Sequence, residues 1–425
     1  MPFMLRKASS ALVILVAIAA LLTTNPAHAQ EPTTPTDSDR VLLPILRSGA
    51  MEVPSTAAGK TVAMPLVMGP QAFQQPWPAD GALRQSLNVY LTWQLNSPKW
   101  ADATFNILLE ANDSSPDEPF AWRLSKASYD PPTFAEDTLY YWQVIAENPN
   151  GEMLPGPVWH FRTDYFPATP ELGALVYVPE GDFIMGCDNN ISGYQCFANQ
   201  IPLHTVRLDA FYLDKYETTN LEYRACVAAG ACNEPRRTDL MDDDYFYDSD
   251  FDYYPVLYVS HWDAEDYCGW AGKRLPTEAE WEKAARGAID TRPWPWGNEN
   301  WDCSRMNRCP GEEHFWFTAP VDGAHAGQSP YGALNMSANA GEWVQDFYLD
   351  EYYWESPYLN PVNTVSKPNR EGIPYYAFRG GSFHDNWWYS RTSHRNAGHW
   401  GDEVGEDVPF FRSFRTGIRC AMSVP

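Results

Sequence analysis

Apolar positions along the chain fall into two textures. From Leu66 to Thr163 they alternate in short runs separated by Pro, Gly, Asn and Asp, the period-two mark of half-buried strands. Leu87–Trp93, Thr104–Glu110, Thr138–Ala146 and Gly156–Thr163 are the strands so expected, with a turn at Asn148–Gly151. From Leu172 to Pro425 helical periods are few. One helix is expected to begin near His261, carrying Ala264, Tyr267, Cys268 and Ala271 at spacings of three and four and stopping at Gly272. Another opens at Thr277, which with Glu280 three residues on completes a capping box, and runs through Trp281, Ala284 and Ala285 to Gly287. The remainder reads as short strands and long excursions. The expected class is therefore α+β: an N-terminal β-sandwich followed by a loop-rich, disulfide-stapled domain.

Ahead of both textures, Arg6 and Lys7 precede an apolar run from Ala11 to Leu22, and Ala27-His28-Ala29 follows. This is the pattern of a signal peptide, expected to be cleaved after Ala29. A membrane span needs about 20 apolar residues, and neither this run nor any later one reaches that length. The chain is thus expected to be exported and not membrane-spanning. The expected division is a leader at 1–29, a Pro/Thr/Ser-rich linker at 30–65, the β-sandwich at 66–165 and the second domain at 172–425.

The 425 residues are 44% apolar and 20% charged, a composition that supports a sizeable core. The formal charge is −25, or −27 without Arg6 and Lys7, because residues 1–29 hold no Asp or Glu. A field of that sign repels phosphate backbones, argues against a nucleic-acid partner, and favours divalent cations where carboxylates converge. Eight cysteines in an exported chain point to disulfides. Cys187 with Cys196, Cys226 with Cys232, and Cys303 with Cys309 each lie within one short stretch, so local closure is easy. Cys268 and Cys420 are left to each other, a long loop whose closure stabilises by roughly 4 to 5 kcal/mol in the chain-entropy model. None of these pairs is a CxxC, which leaves little support for thioredoxin chemistry or structural zinc.

Trp93 on an early strand, Tyr140-x-Trp142-x-Val144 and a closing Trp159-x-Phe161-x-Thr163 resemble the fibronectin type III family. In such a module the aromatics are core, and the expected task is spacing or adhesion. Beyond it, the stretch from Asp263 to Glu282 resembles the signature of the sulfatase-modifying-factor (formylglycine-generating enzyme) family. Gly181–Gly186, His204–Asn220, Pro293–Asn298, Thr318–Val321, Asn339–Trp343, Arg379–Ser382 and Gly417–Cys420 follow that family's order. The resemblance covers about 250 residues and implies a variant of the C-type-lectin-like fold. It also supports the Cys268–Cys420 bridge, which matches a disulfide position of the family.

In the formylglycine-generating members, two cysteines three and eight residues past the Gly-Gly-Ser motif bind Cu(I) and oxidise a substrate cysteine. Here those positions are Asp385 and Ser390, and neither supplies the soft thiolate that Cu(I) needs. Copper is therefore not expected. The resemblance also implies calcium: Asn339 and Glu342, with the carbonyls of Ala340 and Gly341, form a first oxygen cage, and Asn307 with Glu313 a second. The acidic stretch from Asp242 to Tyr254 is expected to be a solvated excursion. The segment that stands where the family's catalytic residues do runs from His384, with His394 and His399 further on. One reading brings His384, Asp385 and His394 together as two imidazoles and a carboxylate, a non-haem iron set. The preferred reading is binding of an extracellular peptide or glycan without turnover. Trp387, Trp388 and Tyr389 would be its flat contacts, Ser382, Asp385, Ser390, Arg391 and Arg395 its polar positions, and Trp343 a wall.

Overall fold

The computed structural model describes residues 72–165, 169–191, 195–235, 245–306, 318–367, 374–398 and 413–424. The expected leader, the linker at 30–65, Asp242, Asn307, Cys309, Glu313 and His399 lie outside them.

The first part is built of β1 (Phe73–Trp77), β2 (Ala82–Gln85), β3 (Leu91–Leu95), β4 (Thr104–Ala111), β5 (Pro119–Leu124), β6 (Ser128–Tyr129), β7 (Leu139–Glu147) and β8 (Met153–Thr163). One sheet has the order β2-β8-β7-β4-β5, the other β1-β3-β6. Alternation does the sorting: β7 buries Tyr140, Trp142, Val144 and Ala146, while the residues between them are half-buried. These meet Leu91, Trp93, Phe105, Ile107 and Phe161 in one apolar core. Trp93 packs edge-to-face on Phe105 at 5.3 Å and on Trp142 at 6.3 Å, so both tryptophans are packing residues. The strand expected from Leu87 begins only at Leu91. Residues 86–88 instead turn their polar groups toward the second domain: Leu87 N–H donates to Gln328 Oε1 at 3.0 Å, and Asn88 Nδ2 to Gln328 O at 2.9 Å.

The second part contains β9 (Leu175–Val178), β10 (Gly181–Met185), β11 (His204–Leu208), β12 (Phe211–Asp214), α1 (Asn220–Ala228), α2 (His261–Trp270) and α3 (Glu278–Arg286). β13 (Gly341–Phe347), β14 (Tyr376–Arg379), β15 (Asn396–Ala397), β16 (Thr416–Gly417) and β17 (Ala421–Ser423) complete it. β10 pairs with β11, β12 lies between β17 and β9, and the third sheet runs β15-β14-β13-β16. The two strands in His204–Asn220 therefore belong to different sheets. α2 and α3 form where the capping signals place them: Ser260 caps α2, and Thr277 accepts from Glu280 N–H while the Glu280 carboxylate returns to Thr277 N–H. α1 starts from the same kind of box at Thr219 and Glu222, a helix that the apolar spacing did not mark. The acidic stretch is not wholly solvated. Tyr245 and Phe246 are buried, and Tyr245 Oη donates to Pro255 O at 2.7 Å.

Disulfides join Cys187 to Cys196, Cys226 to Cys232 and Cys268 to Cys420. Cys303 is also disulfide-bonded, and no described cysteine is a free thiol. Among the described residues no helix is long and apolar enough to cross a membrane. The bridge between α2 and the end of the chain joins residues 152 apart and is fully buried at both ends. Replacing both Cys268 and Cys420 with Ala is expected to lower unfolding free energy by about 2–5 kcal/mol in a denaturant titration. A loss below about 1 kcal/mol would show that strand pairing alone fixes the last strand.

Candidate functional site

The segment after β14 folds back on itself because two glycines allow it. Gly380 and Gly381 have φ of 92° and 65°, and a Cβ on Gly381 would sit 2.8 Å from both Ser390 Oγ and Tyr389 O. The turn that follows is closed by Ser382, whose Oγ donates to Asp385 Oδ2 at 2.7 Å, while Arg415 reaches Asp385 Oδ1 at 3.3 Å. A short 3-10 turn then spans Trp387–Ser390. Ser390 is buried, with its carbonyl accepting from Ser337 Oγ at 2.7 Å. Asp385 and Ser390, the positions at which the family resemblance implies thiolates, are thus an ion-paired carboxylate and a buried hydroxyl.

The aromatic run is the accessible part. His384 and Asn386 are exposed, and Asp385, Trp387, Trp388 and Tyr389 are half-buried. Trp387 lies parallel to Trp301 within 6° at a centroid distance of 6.3 Å, and meets Trp294 at 6.1 Å. Trp294 in turn stacks on Trp296 at 5.4 Å. This ledge of indoles exposes Trp301 beside Trp387 and rests on Trp294 and Trp296, which are buried beneath it; the sequence reading assigned none of these three to the site. The Pro293-Trp-Pro-Trp run was the available signal.

Five of the expected binding residues face inward. Trp343 is 1% exposed, donates Nε1 to Val259 O at 3.1 Å and packs against Phe378, so it is core rather than a groove wall. Ser382 and Ser390 have no exposed surface. Arg391 spends its donors on Trp388 O and Gln195 O. Arg395 is clamped by both oxygens of Glu278 at 2.8 and 2.9 Å. Each arginine stays inside because carboxylates or carbonyls there replace its hydration.

His384, Asp385 and His394 do not form a ligand set. His394 Nδ1 accepts from Gln200 Nε2 at 2.8 Å, and its Nε2 faces Asn396 Oδ1 at 3.0 Å, so both ring nitrogens are engaged. Burial, with the charge of Arg391 adding to it, holds this imidazole down to about 3. Among the described residues no three His, Cys, Asp or Glu side chains gather as a metal site.

The first expected calcium cage also turns its oxygens to protein donors. Glu342 accepts from Arg419 through both oxygens, at 2.7 and 2.9 Å, and from Trp281 Nε1 at 2.6 Å. Asn339 Oδ1 accepts from Ala319 N–H at 2.9 Å. With its carboxylate neutralised by arginine, this arrangement does not fit a calcium cage. The Asn339 amide group instead serves Glu217, whose oxygens accept from Asn335 Nδ2, Asn339 Nδ2 and Ala340 N–H at 2.8 to 2.9 Å. These bonds hold a turn in which Asn335, Ala338 and Asn339 all have positive φ.

Burial first, and the charge of Glu342 second, push Glu217 up to about 8. A carboxyl raised on folding keeps its proton in the native state at pH values where the unfolded chain has lost it. Its contribution to stability is complete below the ordinary value of 4.5 and is lost as pH rises through about 8. Asp346, pushed to about 7 by burial and by Glu278, acts in the same sense. Stability is therefore expected to fall as pH rises from about 4.5, by up to ~1.4 kcal/mol per pH unit for each group, with the Asp346 share levelling off near pH 7 and the Glu217 share near pH 8. Glu217→Gln should shrink that fall in thermal melts. An equal fall in the variant would remove Glu217 as its source.

Comparison with known proteins finds similarity across the second domain. The family model for the sulfatase-modifying factor enzyme 1-like domain matches residues 163–424. The formylglycine-generating enzyme of Streptomyces coelicolor is 30% identical over 330 residues, covering 65% of this chain and 96% of its own length. That of Bos taurus is 29% identical over 300 residues, covering 58% and 74%. Hercynine oxygenase of Mycolicibacterium smegmatis is 30% identical over 282 residues, covering 59% and 62%. Among solved structures, Treponema denticola variable protein 1 overlays with a TM-score of 0.41 at 18% identity, covering 61% of this chain and all of that one. With the match running from β8 to the end of β17, the chain belongs to the sulfatase-modifying factor enzyme 1-like family.

Proposed function

We propose that this protein is an exported recognition protein, in which the segment from Ser382 to Arg391 binds an extracellular peptide or glycan without the oxidation carried out by formylglycine-generating relatives. The observation that carries the reading is the state of the two thiolate positions. Asp385 is held by Ser382 and Arg415, Ser390 is buried, and no described cysteine is free. Copper–thiolate chemistry has no ligands there. What the segment does offer is a half-buried aromatic surface with a carboxylate at its edge, the composition of a binding site rather than of a redox centre. The disulfides fit an oxidising compartment, as does the leader at 1–29. The N-terminal β module, with its fibronectin-like aromatic pattern, fits an extracellular protein.

The test uses residues 30–425. With Cu(I) and a peptide carrying a sulfatase-type cysteine motif, oxygen consumption is expected to stay at the buffer rate. Screening displayed peptides and an oligosaccharide panel is expected to yield a ligand whose affinity falls at least tenfold in both Asp385→Ala and Trp388→Ala, a hot-spot-sized loss. Aldehyde formation on the peptide, or stoichiometric iron or copper lost on Asp385→Ala, would overturn the proposal. So would ligands indifferent to both substitutions.

A further inference from the structure

The N-terminal β module touches the second domain through a built interface rather than a tether. Ser86 Oγ donates to Ser329 O at 2.6 Å, and Asn88 Nδ2 to Ala326 O at 2.8 Å. The hydroxyls of Tyr90 and Tyr331, both buried, meet at 2.8 Å. Lys215 pairs with Asp164 at 2.5 Å. At another point the contact reaches the tryptophan ledge: Asp130, in the loop after β6, pairs with Arg292 at 2.9 Å.

Arg292 has no exposed surface, so its charge is tolerable only where carboxylates replace water. It has two, Asp130 from the β module and Asp290 from its own loop at 2.8 Å. Its backbone is the hinge of the ledge. Arg292 O accepts from Thr392 Oγ1 at 2.7 Å, and Pro293 O accepts from Thr392 N–H at 2.9 Å. Trp294, two residues on, lies against Trp387. One chain of contacts thus runs from Asp130 through Arg292 to both sides of the ledge.

We infer that Asp130 is a positioning residue for the binding segment: by fixing Arg292 it sets the placement of Trp294 and Trp296 against Trp387. The β module is then part of the site's support, not a spacer. Removing Asp130 leaves Asp290 to neutralise Arg292, so the expected result is local loosening of the ledge rather than unfolding. The meaning of that loosening for binding rests on the reading of 382–391 as a recognition segment. The coupling itself does not.

A ligand-free experiment therefore separates the two. The protein is labelled with 5-fluorotryptophan, and the fluorine resonances of Trp294, Trp296, Trp301 and Trp387 are assigned by single Trp→Phe substitutions. Asp130→Ala and the isosteric Asp130→Asn are expected to shift or broaden the Trp294, Trp296 and Trp387 resonances. They should also speed amide exchange at Arg292, Trp294, Trp296 and Thr392 at least tenfold, leaving the Trp281 and Trp343 resonances unmoved. Asp130→Glu should restore most of the wild-type pattern. Val144→Ala, a cavity in the β-module core away from Asp130, should lower the melting temperature without moving the ledge resonances. Unchanged resonances in both Asp130 variants, or an equal response to Val144→Ala, would overturn the inference. If the coupling holds but no ligand responds to Asp385→Ala or Trp388→Ala, the recognition reading alone falls.

Discussion

A buried web of arginines and carboxylates centred on α3 is the constraint on which the second domain depends. Arg379 donates to Glu278 at 2.9 Å and to Glu282 at 2.6 Å; Arg395 clamps Glu278, and Arg286 pairs with Glu282 at 3.1 Å. All five side chains are at most 1% exposed. Burial opposes the charge on Glu278, but Arg395 and Arg379 outweigh it and hold the carboxyl below its ordinary range. Such a web adds little net stability over a well-packed apolar core, yet deleting one member strands a charge at about 3–5 kcal/mol. Its role is therefore to specify one arrangement. Glu282 also accepts from Gly186 N–H at 2.7 Å, and Arg379 donates to Thr392 O at 2.5 Å. The end of β10, the end of β14 and the segment beyond the candidate site are thereby drawn to the same helix.

That web explains why the sequence revealed elements better than environments. α2 and α3 were legible because their caps lie within three residues of the first turn, and the strands β4, β7 and β8 because alternation is local. α1 has the same capping box, but the apolar residues of Asn220–Ala228 are spread around the helix rather than gathered on one stripe, so periodicity did not mark it. In the candidate site, the aromatic run Trp387–Tyr389 could be read directly, whereas Asp385 and Ser390 drew notice only through the family resemblance. The inward turn of Arg395 could not, since its partner Glu278 is 117 residues away in the chain. Trp343 misled for the same reason: an aromatic beside a carboxylate reads alike whether it lines a groove or fills a core. Trp301 and Arg292 lay outside the expected site because their relation to Trp387 and Asp130 exists only once distant loops have packed.

Two buried carboxylates that feel each other's charge illustrate how environment divides similar residues between roles. Glu342 receives Arg419 and Trp281 and serves as the counter-charge of a buried guanidinium. Glu217 receives only neutral amides within hydrogen-bonding distance and is best accommodated with its proton in place. The left-handed turn between Asn335 and Asn339 is held by that neutral acceptor, so backbone geometry and protonation state at this point are one property.

The grip on the candidate segment passes largely through main-chain atoms. Thr392 O takes Arg379, Thr392 N–H goes to Pro293 O, Ser390 O takes Ser337, and Trp388 O takes Arg391. Side chains at His384, Asn386, Trp388 and Tyr389 contribute none of these bonds. Evolution can therefore exchange them one at a time while the framework beneath keeps its connections. The surface that this segment shows and the bonds that hold its backbone are thus carried on separate sets of atoms.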